Sequence, residues 1–299
     1  KLIFSKGSEI ILGGQVGGNS ASWQGGGLNV YEGGSVAISG TRVISNQAAS
    51  SGGGIAVHYG SSAVVTDAHV LSNTADAGGG GGVWLNQDST LTFNGGRVQG
   101  KEARLNGGGF DIGFRSTALL KNLQVLENRD GQWCGGIYLH YIVTPTIESS
   151  VVAGNTHHGV RVETEVEAVT VNQSILRDND WDGLSVDGSR LELTNSIIAR
   201  NGESGLGTAG ETRGLARHNT LADNADDGAS LRGSTALGFT NTIISGNDVG
   251  IQVAAGNTTT LEGTLWYGNG TATGGTGTVD TQDDSTGNPA FSGGGDYHI

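Results

Sequence analysis

Gly183-Leu184-Ser185-Val186, then Leu191-Glu192-Leu193-Thr194, a turn at Asn195-Ser196, and Ile197-Ile198-Ala199-Arg200-Asn201 form one unit of this chain. Each run alternates apolar and polar residues, the period-two signature of a strand with one buried face. The turns between runs are too short to hold a helix, so three short strands fill one turn of a coil. The closing asparagine recurs at Asn19, Asn46, Asn73, Asn128, Asn155, Asn179, Asn201, Asn224, Asn247 and Asn269, with Lys101 standing at the midpoint of the one double gap. The steps run 27, 27, 28, 27, 27, 24, 22, 23, 23 and 22 residues, a fixed period that marks a solenoid. Glycine follows each corner and opens the next strand, as in Gly54-Ile55-Ala56-Val57, Gly82-Val83-Trp84-Leu85, Gly136-Ile137-Tyr138-Leu139 and Gly159-Val160-Arg161-Val162. The expectation is an all-β, right-handed, single-stranded parallel β-helix of about 11 coils, with three short strands per coil. It forms one domain over 1–299, with long coils to about 155, shorter coils from 156 to 270, and a closing segment from 271 to 299.

Composition agrees. Of 299 residues, 55 are glycine and only 2 are proline, so collagen is excluded and nearly every backbone N–H is free to bond to the next coil. A net charge of -13 with only 16 basic residues argues against a nucleic-acid partner. No apolar run is long enough for a membrane helix, and Lys1-Leu2-Ile3-Phe4-Ser5-Lys6 has no signal-peptide pattern, so no membrane insertion is expected from this segment. Without any methionine, the numbered chain reads as a processed or excised piece. A single cysteine, Cys134, rules out an internal disulfide.

The repeated glycines and asparagines read first as scaffold. Tight corners need positive φ, which glycine permits and asparagine tolerates. An asparagine at the same corner of each coil also stacks amide on amide into a hydrogen-bonded ladder. Lys101 is then a gap and a local weakness.

Gly-Gly-Gly at 25–27, 52–54, 80–82 and 107–109, alternating with VISN at 43–46, VLSN at 70–73 and VLEN at 125–128, resembles the GGA(I/L/V) and FxxN repeats of polymorphic outer-membrane autotransporter passengers. The later stretches NSIIARNGESGLG and NTIISGNDVGIQV resemble pectate-lyase-like β-helix repeats. Asn288-Pro289-Ala290-Phe291 with Gly295-Asp296-Tyr297-His298-Ile299 is similar to the segment that closes many secreted bacterial β-helix proteins. The resemblance implies an extracellular or bacterial outer-membrane surface location. It does not choose a chemistry, since such repeats serve adhesins, lyases, hydrolases and epimerases alike.

In a β-helix, residues at one offset from the corner glycine form a column, one per coil. Two outward columns gather Trp84, Asp111, Tyr138, His140, Arg161, Glu163 and Asp187 on one strand face. Aromatic rings suit sugar faces while charged groups fix hydroxyls, so Trp84, Asp111, Tyr138, His140, Arg161 and Glu163 are candidate glycan-binding residues. The resembling pectate-lyase-like enzymes bind polysaccharide on this face. The plainer alternative is an ordinary solvated sheet. Candidate catalytic groups are Glu163 and Asp187 as a hydrolytic carboxylate pair, or His140 or Arg161 in a lyase. Asp178, Asp180, Asp182, Glu203, Asp226, Asp227 and Asp248 raise calcium as an outside option, against an expectation of no cofactor. His157-His158 has no third partner for a transition metal, and Trp133, Trp181 and Trp266 read as loop or core covers.

Two functions therefore compete: a non-catalytic surface adhesin or structural rod, and a polysaccharide lyase or glycoside hydrolase. The expected partners are a glycan, a host or neighbouring cell surface, or further copies of the chain stacked end to end.

Overall fold

The computed structural model describes residues 1–141, 144–291 and 297. Of the closing segment, Gly295, Asp296, His298 and Ile299 lie outside the described residues. Among the described residues there is no helix, and the strand pairings between coils are parallel, with a register shift between Cys134 and Ile137 where Cys134–Leu139 meets His158–Val162. One sheet carries twelve strands, one from each coil, from Leu2–Ser5 to Thr271–Gly275. Eleven corner positions thus separate twelve strands, one coil more than the corner residues alone suggest. A second, much larger sheet wraps the other sides of the solenoid.

The longer coils owe their extra residues to a third sheet. In coils three to five the second and third runs merge into long strands, Ser62–Leu71, Thr90–Gln99 and Thr117–Leu126, which bend at a corner without breaking. The residues after the corner asparagine then form two-residue strands, Ser20–Ala21, Gln47–Ala48, Thr74–Ala75, Glu102–Ala103 and Arg129–Asp130, stacked into a five-stranded sheet. From His158 onward the chain turns directly into the next strand, and this wall stops.

Alternation fills the interior. In Ser62–Leu71 the inward Ala63, Val65, Ala68 and Val70 are buried, and Leu28, Val57, Leu85, Ile112, Leu139 and Val162 continue the apolar stack. Phe93 and Phe110 meet edge to face at 5.8 Å. Burial of these side chains, each contributing roughly 1.5–3 kcal/mol, holds the coils together.

The asparagine ladder is present. The Asn201 amide donates to Asn224 Oδ1 at 3.0 Å and to the Leu176 carbonyl at 3.2 Å, and the Asn201 backbone N–H donates to the same Oδ1 at 3.1 Å. The same pattern repeats from Asn19 to Asn73 and from Asn128 to Asn269. One detail differs from the sequence reading. The left-handed residue at each corner is the one before the asparagine, as at Ser45, Ser72, Glu127, Asp178, Arg200 and Asp223. The asparagine therefore serves by its buried amide, not by tolerating positive φ. Serines make a parallel ladder that periodicity did not reveal: the N–H of Ser150 donates to Ser174 Oγ and that of Ser174 to Ser196 Oγ. Asn201→Ala or Asn224→Ala is expected to lower stability by about 1–3 kcal/mol, because the buried partners of the amide lose their bonds. Thermal melting of both variants checks this, and unchanged curves would remove the ladder from the account.

At Lys101 the ladder breaks as expected. Its backbone N–H still reaches Asn128 Oδ1 at 3.2 Å, but Asn73 below it keeps only the Val43 carbonyl as partner for its amide. Lys101 itself is 1% exposed, and its Nζ has no hydrogen-bond partner.

Candidate functional site

The twelve-stranded face brings most of the outward columns together. Register aligns Trp84 with Asp111, Asp111 with Tyr138, Tyr138 with Arg161, and Arg161 with Ser185, one per coil. His140 Nε2 lies 2.8 Å from Asp111 Oδ1, and the Tyr138 ring stacks on His140 at 4.8 Å. The imidazole fits because residue 113 is glycine: a Cβ there would come within 2.5 Å of His140 Nε2. Phe114 and Tyr141 close over the imidazole with edge contacts at 5.7 and 5.6 Å. Arg161 donates through Nε to Glu163 at 3.2 Å and through Nη1 to Ser185 Oγ at 3.1 Å. Burial, together with the Glu163 and Asp111 carboxylates, pushes the Tyr138 hydroxyl well above the usual phenol range.

Asp111, Tyr138, His140, Arg161 and Glu163 are thus one connected patch. Trp84, one coil earlier, packs against His58 at 5.2 Å. The His58 imidazole is held neutral, its pKa lowered to about 4 by burial and then by Lys1. Asp187 stands apart at the end of Leu184–Asp187, in register with Ala209 and close against Gly210, while Glu163 is committed to Arg161.

Beyond the patch, where the five-stranded wall stops, lies a second group that the columns missed. Trp133 and Trp181 meet at 6.3 Å, and His157 packs on Trp181 at 4.4 Å with its Nδ1 2.7 Å from Asp130. Below this lip a groove of about 280 Å³ is lined by His158, Trp181, Asp182, Glu203, Asp226 and Arg232, and Arg161 reaches into it from the first patch. Burial pushes the Asp182 carboxyl up to about 7, against the single N–H that Ser204 donates to it at 3.0 Å. His158 is driven down to about 3 by burial and then by Arg161 and His157, so beside Asp182 it is a neutral ring. Glu203 and Asp227 are also raised, chiefly by burial and then by neighbouring Asp226. Asp182 escaped the sequence reading because it precedes the corner glycine, outside the alternating strand; its chain position put it among loop acids instead. Asp182, Glu203 and Asp226 share this groove, but among the described residues no three His, Cys, Asp or Glu side chains are grouped to hold a metal ion. Just before the ladder asparagines opposite charges pair from coil to coil, with Arg200 Nε donating to Asp178 at 2.8 Å. Trp266 closes the core edge near the last coils, its Nε1 donating to Asp284.

A parallel solenoid with an aromatic and charged patch on its long sheet is the class of protein these coordinates define. The chain belongs to the right-handed beta helix region family, whose model matches residues 13–190 and 182–288. Among solved structures it is similar to the A-module of the mannuronan C-5 epimerase AlgE6 of Azotobacter vinelandii, at 14% identity over 94% of this chain and 91% of that one, with a TM-score of 0.52. It is also similar to a mutant form of the periplasmic alginate epimerase AlgG, at 12% identity over 93% and 77% of the two chains, with a TM-score of 0.57. At such identities the likeness is one of fold. No curated protein sequence matches.

Proposed function

We infer that this protein acts on an acidic polysaccharide laid across the twelve-stranded face, at the cell envelope or outside it. One observation carries the reading: an acid–base pair, Tyr138 on His140, is held by Asp111 beside the Arg161 guanidinium. With Nε2–H donated to Asp111, Nδ1 of His140 is left as a proton acceptor. Arg161 is suited to offset a uronate carboxylate, which acidifies the C–H next to it. Tyr138, its pKa raised, keeps its proton at neutral pH and can donate it. Transfer of that C–H proton to His140 Nδ1 and delivery of a different proton, from the Tyr138 hydroxyl, to the other face of the carbon inverts the sugar, and proton exchange with solvent returns the imidazolium and phenolate to their starting forms. Departure of the neighbouring glycosidic oxygen instead breaks the chain by elimination. The similar folds named for epimerases act on mannuronan and alginate, which supports a uronate polymer as the substrate class. The adhesin reading rests on the solenoid, the repeat resemblance and the acidic surface, and gives these groups a glycan-binding role but no chemistry.

A specific observation favours a second reading, hydrolysis. Asp182, its pKa raised to about 7, can hold a proton near neutrality, and extending the strand register puts Asp227 two coils further along, a backbone separation of about 10 Å that compares with the wide carboxyl spacing of inverting glycosidases. Incubation with alginate, polygalacturonate and neutral glucans separates the readings. Ultraviolet absorbance of a new double bond or proton NMR of an inverted uronate supports the first. New reducing ends from a neutral glucan, lost in Asp182→Asn, support the second. Intact polymers throughout leave the adhesin.

A further inference from the structure

The second sheet carries a charge pattern unlike the rest of the chain. Arg42, His69 and Arg97 stand in direct register on three successive coils, His69 pairing with Arg42 on one side and Arg97 on the other. Parallel register sets neighbours in the column about 4.8 Å apart, so the two arginines stand about 10 Å apart with the imidazole between them. Such a column is unexpected in a chain of net charge -13. Arg42 and His69 are exposed, Arg97 is half-buried, and among the described residues none of the three forms an ion pair. Asp67, the acid on the same strand as His69, sits at its bend and leans over Gly95 instead.

Arg97 is aimed without being neutralised. Its Nε and Nη2 donate to Gln124 Oε1 at 3.0 and 2.7 Å, and Nη1 donates to Gln99 Oε1 at 3.0 Å. Two neutral amides therefore hold the guanidinium while two of its five N–H groups stay free. The two arginines and His69 line an open groove of about 440 Å³, with Gly96 leaving its floor low and Leu71 adding an apolar wall.

We propose that this column is a docking strip for a linear carboxylated polysaccharide, its carboxylates meeting Arg42 and Arg97 with His69 available as a hydrogen-bonding group between them, on a side of the solenoid separate from the candidate site. Charge complementarity and the linear spacing of the two arginines along the solenoid axis select that occupant. A single small anion needs convergent donors, whereas these three point outward from three different coils. A nucleic acid needs a broad basic footprint, whereas this strip is about 10 Å long on an acidic protein. The strip does not rest on the catalytic reading, since it would hold a polymer whether or not the other face reacts.

The test is a titration of the full chain with fluorescently labelled oligogalacturonate, run in a Tyr138→Ala/Arg161→Ala background that silences the candidate site. Binding is expected to persist there, to weaken with salt, and to fall by roughly tenfold per arginine in R42Q and R97Q. Both side chains point away from the core, so melting curves should stay unchanged, and R97K should keep part of the affinity. Equal affinity in R42Q/R97Q overturns the strip. So does competition by galacturonate monomer or inorganic sulfate as effective as the oligomer, which reassigns the column to single anions. Tighter binding of a single-stranded oligonucleotide at the same salt would overturn the choice of polymer.

Discussion

Replacing Lys101 with asparagine is expected to stabilise the protein by several kcal/mol at pH 7. Burial pulls the Lys101 amine from 10.5 down to about 6. Between those values the unfolded chain holds a proton that the folded chain does not, so stability rises with pH across that window and is lowest below it. At pH 7 the penalty is of the order of 5 kcal/mol, since each unit between the pH and the unfolded value counts about 1.4 kcal/mol. Asparagine also gives back what the gap removed: an Oδ1 for the unpartnered side of Asn73 and an amide for the carbonyl below it. Part of the gain is offset by the space vacated by the lysine stem, which lies close enough for a Cβ at Gly82 to touch its Cε at 3.4 Å. Lys101→Met keeps that volume and isolates the charge effect. Urea unfolding at pH 7 and pH 10 reads both parts: the original protein gains stability with pH, Lys101→Met loses that gain, and Lys101→Asn adds the ladder bonds. A pH-independent original protein, with neither variant more stable, would show the amine to be solvated.

The residues that were legible in the sequence are those whose role is set by repetition. Eleven corners in register fixed the fold, and counting from the corner glycine put Asp111, Tyr138, His140, Arg161 and Glu163 on one face before any coordinates. Repetition says less about packing. It located Lys101 as a missing rung but not the dry environment of its amine, because burial depends on the side chains of the coils above and below. It left Asp182 among the loop acids because that residue precedes the corner glycine, outside the alternating strand. It also assigned positive φ to the asparagines, although the torsion belongs to the residue before them, whose identity varies from Ser45 to Arg200.

For the candidate site the largest expected effect is on rate. On a uronate polymer, His140→Ala is expected to lower kcat by about 10²–10⁴-fold, the usual worth of a positioned general base. Asp111→Asn is the sharper experiment. The Asp111 carboxylate only accepts, which fixes the proton on Nε2 of His140 and leaves Nδ1 free. An asparagine amide can donate to Nε2, which moves the ring proton to Nδ1 and removes the acceptor while leaving the stacked rings in place. The loss should therefore approach that of His140→Ala in kcat with little change in KM. Arg161→Ala, which removes the group facing the carboxylate, should instead raise KM and lower kcat together. Tyr138→Phe keeps the stacking on His140 and removes only the proton, so it should bind the polymer normally and react slowly. Initial rates with matched melting curves distinguish these patterns, because each side chain lies on the outward face and its loss should leave the core intact. Full activity in Asp111→Asn would mean that the imidazole is not the base, and the chemistry would then fall to the protonated Asp182 in the groove beyond Arg161.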